Sequence, residues 1–182
     1  MIHQEARKDA HFIRWIFTPV IGLALVLAQI AVVPWFAVEG AFPDILTAAA
    51  VAMGLHFGPF RGLMWGFFLG GLADVLAAHS FGLLALPLAL VGYGSGLAHR
   101  WVFESRFLVP LATGLGGALG SHILQVLVAW ALGLGVDVRV LVWPENILRV
   151  VYTVGVSWLF FLLLLTVHHL QRRERLRIAG RT

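Results

Sequence analysis

The 182-residue chain contains no cysteine. Disulfides, iron–sulfur ligation and thiol catalysis are therefore excluded. Charge is scarce too. Only 12% of the residues are charged, where soluble domains carry about 25%. The short signatures of several enzyme classes are also missing. The histidines show no HExxH metal spacing, and no glycine-rich phosphate loop occurs. Ser80, Ser95, Ser121 and Ser157 have no acid–base set beside them in the sequence. Enzymatic activity thus has no support in the residues, and neither a cofactor nor a metal is expected.

Apolar sequence is abundant instead. Hydrophobic residues make up 60% of the chain, and mean hydropathy is +0.90. A soluble core does not need so much apolar surface, whereas lipid-facing helices do. The net charge of +4 sits in short segments between apolar runs and at the two ends. That placement reads as membrane topology and not as a nucleic-acid partner.

Six apolar runs near the length of a membrane span occur, at about 15–38, 42–57, 60–78, 81–97, 107–132 and 147–170. The first is longer than a signal-peptide core, and further spans follow it, so it reads as a retained helix. The expected fold is an all-α integral membrane protein, a six-transmembrane-helix bundle in one domain over residues 1–170. A basic cytoplasmic tail over 171–182 follows. The three runs between 42 and 97 are short, rich in glycine and closely connected, and a re-entrant element among them is the alternative to full crossing.

With a cytoplasmic amino terminus, the inner side of such a bundle holds Arg7, Lys8, Arg14, Arg61, Arg100, Arg106, Arg172, Arg173, Arg175, Arg177 and Arg181. Glu39, Asp137 and Glu145 fall outside, and both termini are expected in the cytoplasm. The tail reads as an anchor on anionic lipid or as a contact for a cytoplasmic partner. Residues 136–143 alternate in polarity and then turn apolar through Trp143, as an extended interfacial segment does. Glu145 and Arg149 are spaced to pair on one helix face.

Glycine occurs 20 times. Gly62, Gly66 and Gly70 repeat every four residues, as do Gly92 with Gly96 and Gly116 with Gly120. Such stripes let helices approach closely in lipid, either inside the protein or against a partner. Pro43 and Asp44 suit the start of a helix. Asp74 falls inside an apolar run, with His79 and Arg149 as candidate partners and His122 deeper. Structural locking, partner binding and solute or proton traffic are its open roles. His56, His99, His168 and His169 read as interfacial.

One ordered set stands out between Pro43 and Gly96. It comprises Pro43-Asp44, Gly54, Gly58-Pro59, Arg61-Gly62, Gly66, Gly70, Asp74, Phe81-Gly82-Leu83, Val91-Gly92-Tyr93 and Gly96. This pattern resembles the rod-shape-determining protein MreD family. It departs from that family at His56 to Phe60, which is more apolar. The resemblance implies a non-enzymatic scaffold of the bacterial inner membrane. Such a scaffold would bind MreC directly and reach MreB and the RodA–PBP2 peptidoglycan synthase through the complex, supporting rod shape and peptidoglycan synthesis. It also implies the fold of the S components of energy-coupling-factor transporters. Carried onto this chain, Pro43, Asp44 and Asp74 would fix the outer helix ends, and Gly62, Gly66 and Gly70 would form a close-packed face. The alternative is a small-solute-binding subunit of a membrane transporter, for which His122 and Gln125 are the polar candidates.

Overall fold

A computed structural model describes residues 19–78, 80–100, 108–135 and 144–179. Among the described residues the chain is all-α. Its helices are α1 (Pro19–Ala31), α2 (Ile45–Phe57), α3 (Pro59–Leu76), α4 (Ala85–Leu97), α5 (Leu108–Ala131) and α6 (Pro144–Ala179). Single 3-10 turns follow α1, at Val33–Phe36, and α4, at Ala98–Arg100.

The helix boundaries have local causes. Asp44 caps α2, accepting from the Leu46 amide at 3.1 Å and the Thr47 amide at 3.0 Å. At the other end of α2, Gly58 adopts φ +89°, a conformation that residues with a Cβ rarely take. Pro59 then occupies the first turn of α3, where its missing N–H costs nothing. The chain therefore reverses over two residues, and α3 runs back along α2.

Six helices stand where six apolar runs were expected, but they do not make six membrane spans. Only α5 and the segment Asn146–Leu163 of α6 are long and apolar enough to cross a bilayer, among the described residues. Length decides part of this. Helices α2 and α4 have 13 residues each. At 1.5 Å per residue they reach roughly 20 Å, against a hydrocarbon core of about 30 Å. The described part of α1 covers Pro19–Ala31. Polarity decides the rest. Helix α3 has 18 residues, but Arg61, Asp74 and four glycines dilute its apolar content. The expected 42–57 and 81–97 runs lose their first three or four residues to caps and turns, which apolarity alone does not reveal.

Helix α2 is the hub. It packs against α3, α4, α5 and α6. Nine of its thirteen residues are buried, including Ala48, Ala49, Ala50 and Ala52. Small side chains on every face let four helices approach one axis. Helices α3 and α4 pack against each other extensively. Two apolar clusters fill the interior. One joins Val26, Leu46, Leu69 and Leu88, and the other joins Val51, Leu55, Val91 and Phe161.

On α5, side-chain size is distributed inside out relative to a helix of a soluble protein. On α5 the buried positions are mostly small, such as Gly114, Gly117, Ala118 and Ser121. Its exposed positions are large and apolar, among them Leu111, Leu115, Leu119, Ile123, Leu127 and Trp130. A contiguous exposed apolar face of this kind would be a liability in water and is at home in lipid. With two helices able to cross, it gives the chain a membrane-associated character.

Candidate functional site

Consecutive helices run in opposite directions, so one end of the molecule gathers the ends of α1, α3 and α5 and the starts of α2, α4 and α6. The chemistry-bearing residues meet there. Asp44 is held first by its own helix. Besides the two amides, its Oδ2 accepts from the Thr47 hydroxyl at 2.6 Å. Two other helices then fix this start. The Thr153 hydroxyl on α6 accepts from the Asp44 amide at 3.0 Å and donates to the Arg149 carbonyl at 2.8 Å. From α1, Gln29 accepts from the Ile45 amide at 2.8 Å and donates to the Pro43 carbonyl at 3.2 Å. Pro43 therefore stands two residues outside α2 and serves through its carbonyl.

Asp74 performs the same task for α4. It lies near the end of α3 and is only 1% exposed. Its carboxylate accepts from the amides of Gly82 at 2.8 Å, Leu84 at 2.9 Å and Ala85 at 3.2 Å. These amides belong to the turn into α4 and its first residue, where a negative charge is favoured. Gly82 has φ +100°, and that conformation turns its amide toward the carboxylate. The described partners of Asp74 are thus backbone amides, and Arg149 is not among them. The suggested pairing with His79 lies outside the described residues, as do the Glu145–Arg149 pairing, the alternation over residues 136–143 and the side chains of the tail.

The glycine stripes are occupied from within. A Cβ on Gly62 would collide with the Gly92 carbonyl, on Gly66 with the Leu88 carbonyl, and on Gly70 with Ala85 and the Leu84 carbonyl. Gly92 faces Gly62, and Gly96 faces Pro59. These residues form the α3–α4 interface. Gly116 and Gly120 do not behave alike with them. A Cβ on Gly116 would meet nothing within 4 Å, and one on Gly120 would make ordinary contact with Val91. The close approach on α5 is at Gly117, against Val51 and Val91.

Beside the two caps lies a cavity of about 490 Å³. Its polar lining residues are Gln29, His122, Gln125 and Arg149. Arg149 comes from the first turns of α6, and its guanidinium lies over the Phe42 ring at 4.5 Å from the centroid. The sequence offered His122 and Gln125 for such a pocket, and the fold adds Gln29 and Arg149 from distant segments. At the opposite end, the His99 imidazole donates to the Leu55 carbonyl and closes the end of α2. His56 packs edge-on against Phe57 and Phe161. Ser95, Ser121 and Ser157 donate to carbonyls of their own helices, at 3.1, 3.0 and 2.7 Å.

Two positions that hold this end together escaped the sequence reading. Gln29 and Thr153 join α1 and α6 to the start of α2. Gln29 did carry a signal, as a lone amide in an otherwise apolar run. Thr153 carried none, because threonine is ordinary in a membrane helix. No family model matches the chain, and neither a curated protein nor a solved structure matches it.

Proposed function

We propose that this chain is a non-enzymatic membrane adaptor of the bacterial cell-elongation machinery, of the MreD kind. In this reading it binds MreC and, through the complex, supports MreB and the RodA–PBP2 synthase. One observation carries the reading. The ordered run from Pro43 to Gly96 maps onto one contiguous unit, α2 to α4, in which the residues of the resemblance do architectural work. Asp44 and Asp74 cap helices, Gly58 and Gly82 take left-handed turns, and Gly62, Gly66, Gly70, Gly92 and Gly96 bring two backbones together. Residues spent on internal architecture suit a scaffold, whose action is positional. Partner contact then falls to the outward apolar faces, because the glycine face is already filled.

The proposed location is the inner membrane, with α5 and α6 crossing it and both termini cytoplasmic. Arg61 and Arg100 sit at the helix ends opposite the Asp44 cap, which supports the orientation. Affinity purification of the tagged full chain from native membranes tests the adaptor reading. Recovery of MreC in near-stoichiometric amount is expected. Folded, membrane-inserted protein that brings down no MreC would sink it.

A further inference from the structure

The cavity at the capped end falls in the size range of small-molecule sites, roughly 300–1,000 Å³, at about 490 Å³. Its wall is mostly apolar, with Ile30, Leu46, Val126 and Ala129 among the lining residues. Arg149 is the one charged residue on that wall among the described residues, and no carboxylate joins it there. The nearby carboxylates are engaged elsewhere. Asp44 holds the amides of α2, and Asp74 holds those of the α4 turn.

Arg149 is half-buried and forms no ion pair among the described residues. Its guanidinium carbon sits over the Phe42 ring, 4.5 Å from the centroid. A ring face offers no lone-pair acceptor, and guanidinium N–H donors suit an oxyanion in geometry and charge. His122 supplies a second observation. Its Nε2 is buried with no hydrogen-bond partner, on a residue that lines the same cavity.

We propose that this cavity binds an amphipathic anion, with a carboxylate or phosphate head at Arg149 and an apolar body against the lining. A neutral apolar ligand would make no use of the guanidinium donors, and a cation would be repelled by them. A fully polar anion would leave most of the wall unsatisfied. The proposal stands on the cavity and is independent of the adaptor reading, since an MreC complex can form whether or not the site is filled.

The test uses the full chain purified in a neutral detergent, with decanoate, decyl phosphate and decanol as probes. Binding is read from titrations of intrinsic tryptophan fluorescence. Both anions are expected to bind at least about tenfold more tightly than decanol, as charge-assisted hydrogen bonds at one head group imply. Arg149→Gln should bring the anions down to the level of decanol, and Arg149→Lys should restore part of the difference. Gln125→Phe, which narrows the cavity and leaves Arg149 in place, should weaken all three probes together and keeps the test open if Arg149→Gln does not fold. Equal binding of decanol and decanoate would overturn the proposal, as would unchanged anion binding in either Arg149→Gln or Gln125→Phe. Native mass spectrometry of protein taken directly from membranes separates the sources. A retained diacyl phospholipid identifies a lipid head group, and a smaller retained anion identifies a free solute.

Discussion

Asp74 concentrates three backbone hydrogen bonds on one buried carboxylate. Removing it strands three donors at once. Bonds to a charged acceptor are individually worth about 1.5–3 kcal/mol, and an unsatisfied buried group carries its own desolvation cost. Asp74→Ala is therefore expected to cost about 3–5 kcal/mol, read as a large drop in thermal midpoint in detergent and in membrane abundance. Asp74→Asn should fall between the two proteins, because its amide keeps one acceptor oxygen. Asp44→Ala should cost less, about 1–2 kcal/mol, the usual range for an N-cap. Thr153→Val would remove only the hydroxyl that joins α6 to the α2 start, with an expected loss of about 1 kcal/mol. If Asp74→Ala melts with the unmodified protein, the carboxylate does not hold the α4 turn. Asp44 was legible as an acid at a helix start, where exposed amides favour it, and Asp74 as a carboxylate inside an apolar run. The amide partners of Asp74 were not legible, because they belong to a turn whose approach no local pattern records.

At the scale of elements, glycines fall into two groups that spacing alone does not separate. Gly66 faces the Leu88 carbonyl across the α3–α4 interface, and that neighbour is backbone and cannot rotate away. Gly66→Ala should therefore be strongly destabilising, with Gly66→Leu yielding little folded protein. Gly116→Ala and Gly94→Ala meet open space and should change the thermal midpoint little, or raise it slightly by favouring the helix. The informative measurement is the four-member series in one detergent. Similar midpoints for Gly66→Ala and Gly116→Ala would mean that α3 and α4 are not packed as described. The every-four repeat correctly marked Gly62, Gly66, Gly70, Gly92 and Gly96 as a helix face. It wrongly grouped Gly116 and Gly120 with them, because a repeat places residues on one side of a helix but does not say what faces that side. Helix α2 was similarly opaque. A short, alanine-rich run does not announce that it is the central helix.

Among the described residues, two of the helices packed around α2 can cross a membrane by length and composition, and the others do not meet that test. The absence of cysteine makes this organisation accessible to single-cysteine labelling. Arg100→Cys and Ala179→Cys, before α5 and at the end of α6, should react from the same side with a membrane-impermeant maleimide, and Leu134→Cys from the other. Labelling of Arg100→Cys and Ala179→Cys from opposite sides would mean that α5 and α6 do not both cross. Composition marked the chain as apolar, and run length placed α2, α3, α4 and α5 within about four residues of where they stand, because continuous burial leaves a local apolar record. The first and last runs fit less well, since α1 ends at Ala31 and not near 38, and α6 continues to Ala179 and not to 170. Charge placement suggested an orientation for the same local reason. How many helices can cross depends on the observed helix lengths together with composition, and the lengths were not legible in the apolar runs. Caps and turns shortened the apolar runs, and Gln29, Asp44, Asp74 and Thr153 formed bonds between segments that no local pattern connects. The cavity beside Arg149 belongs to the same class. It exists because four polar residues from α1, α5 and α6 converge on one apolar wall, and convergence is a property of packing.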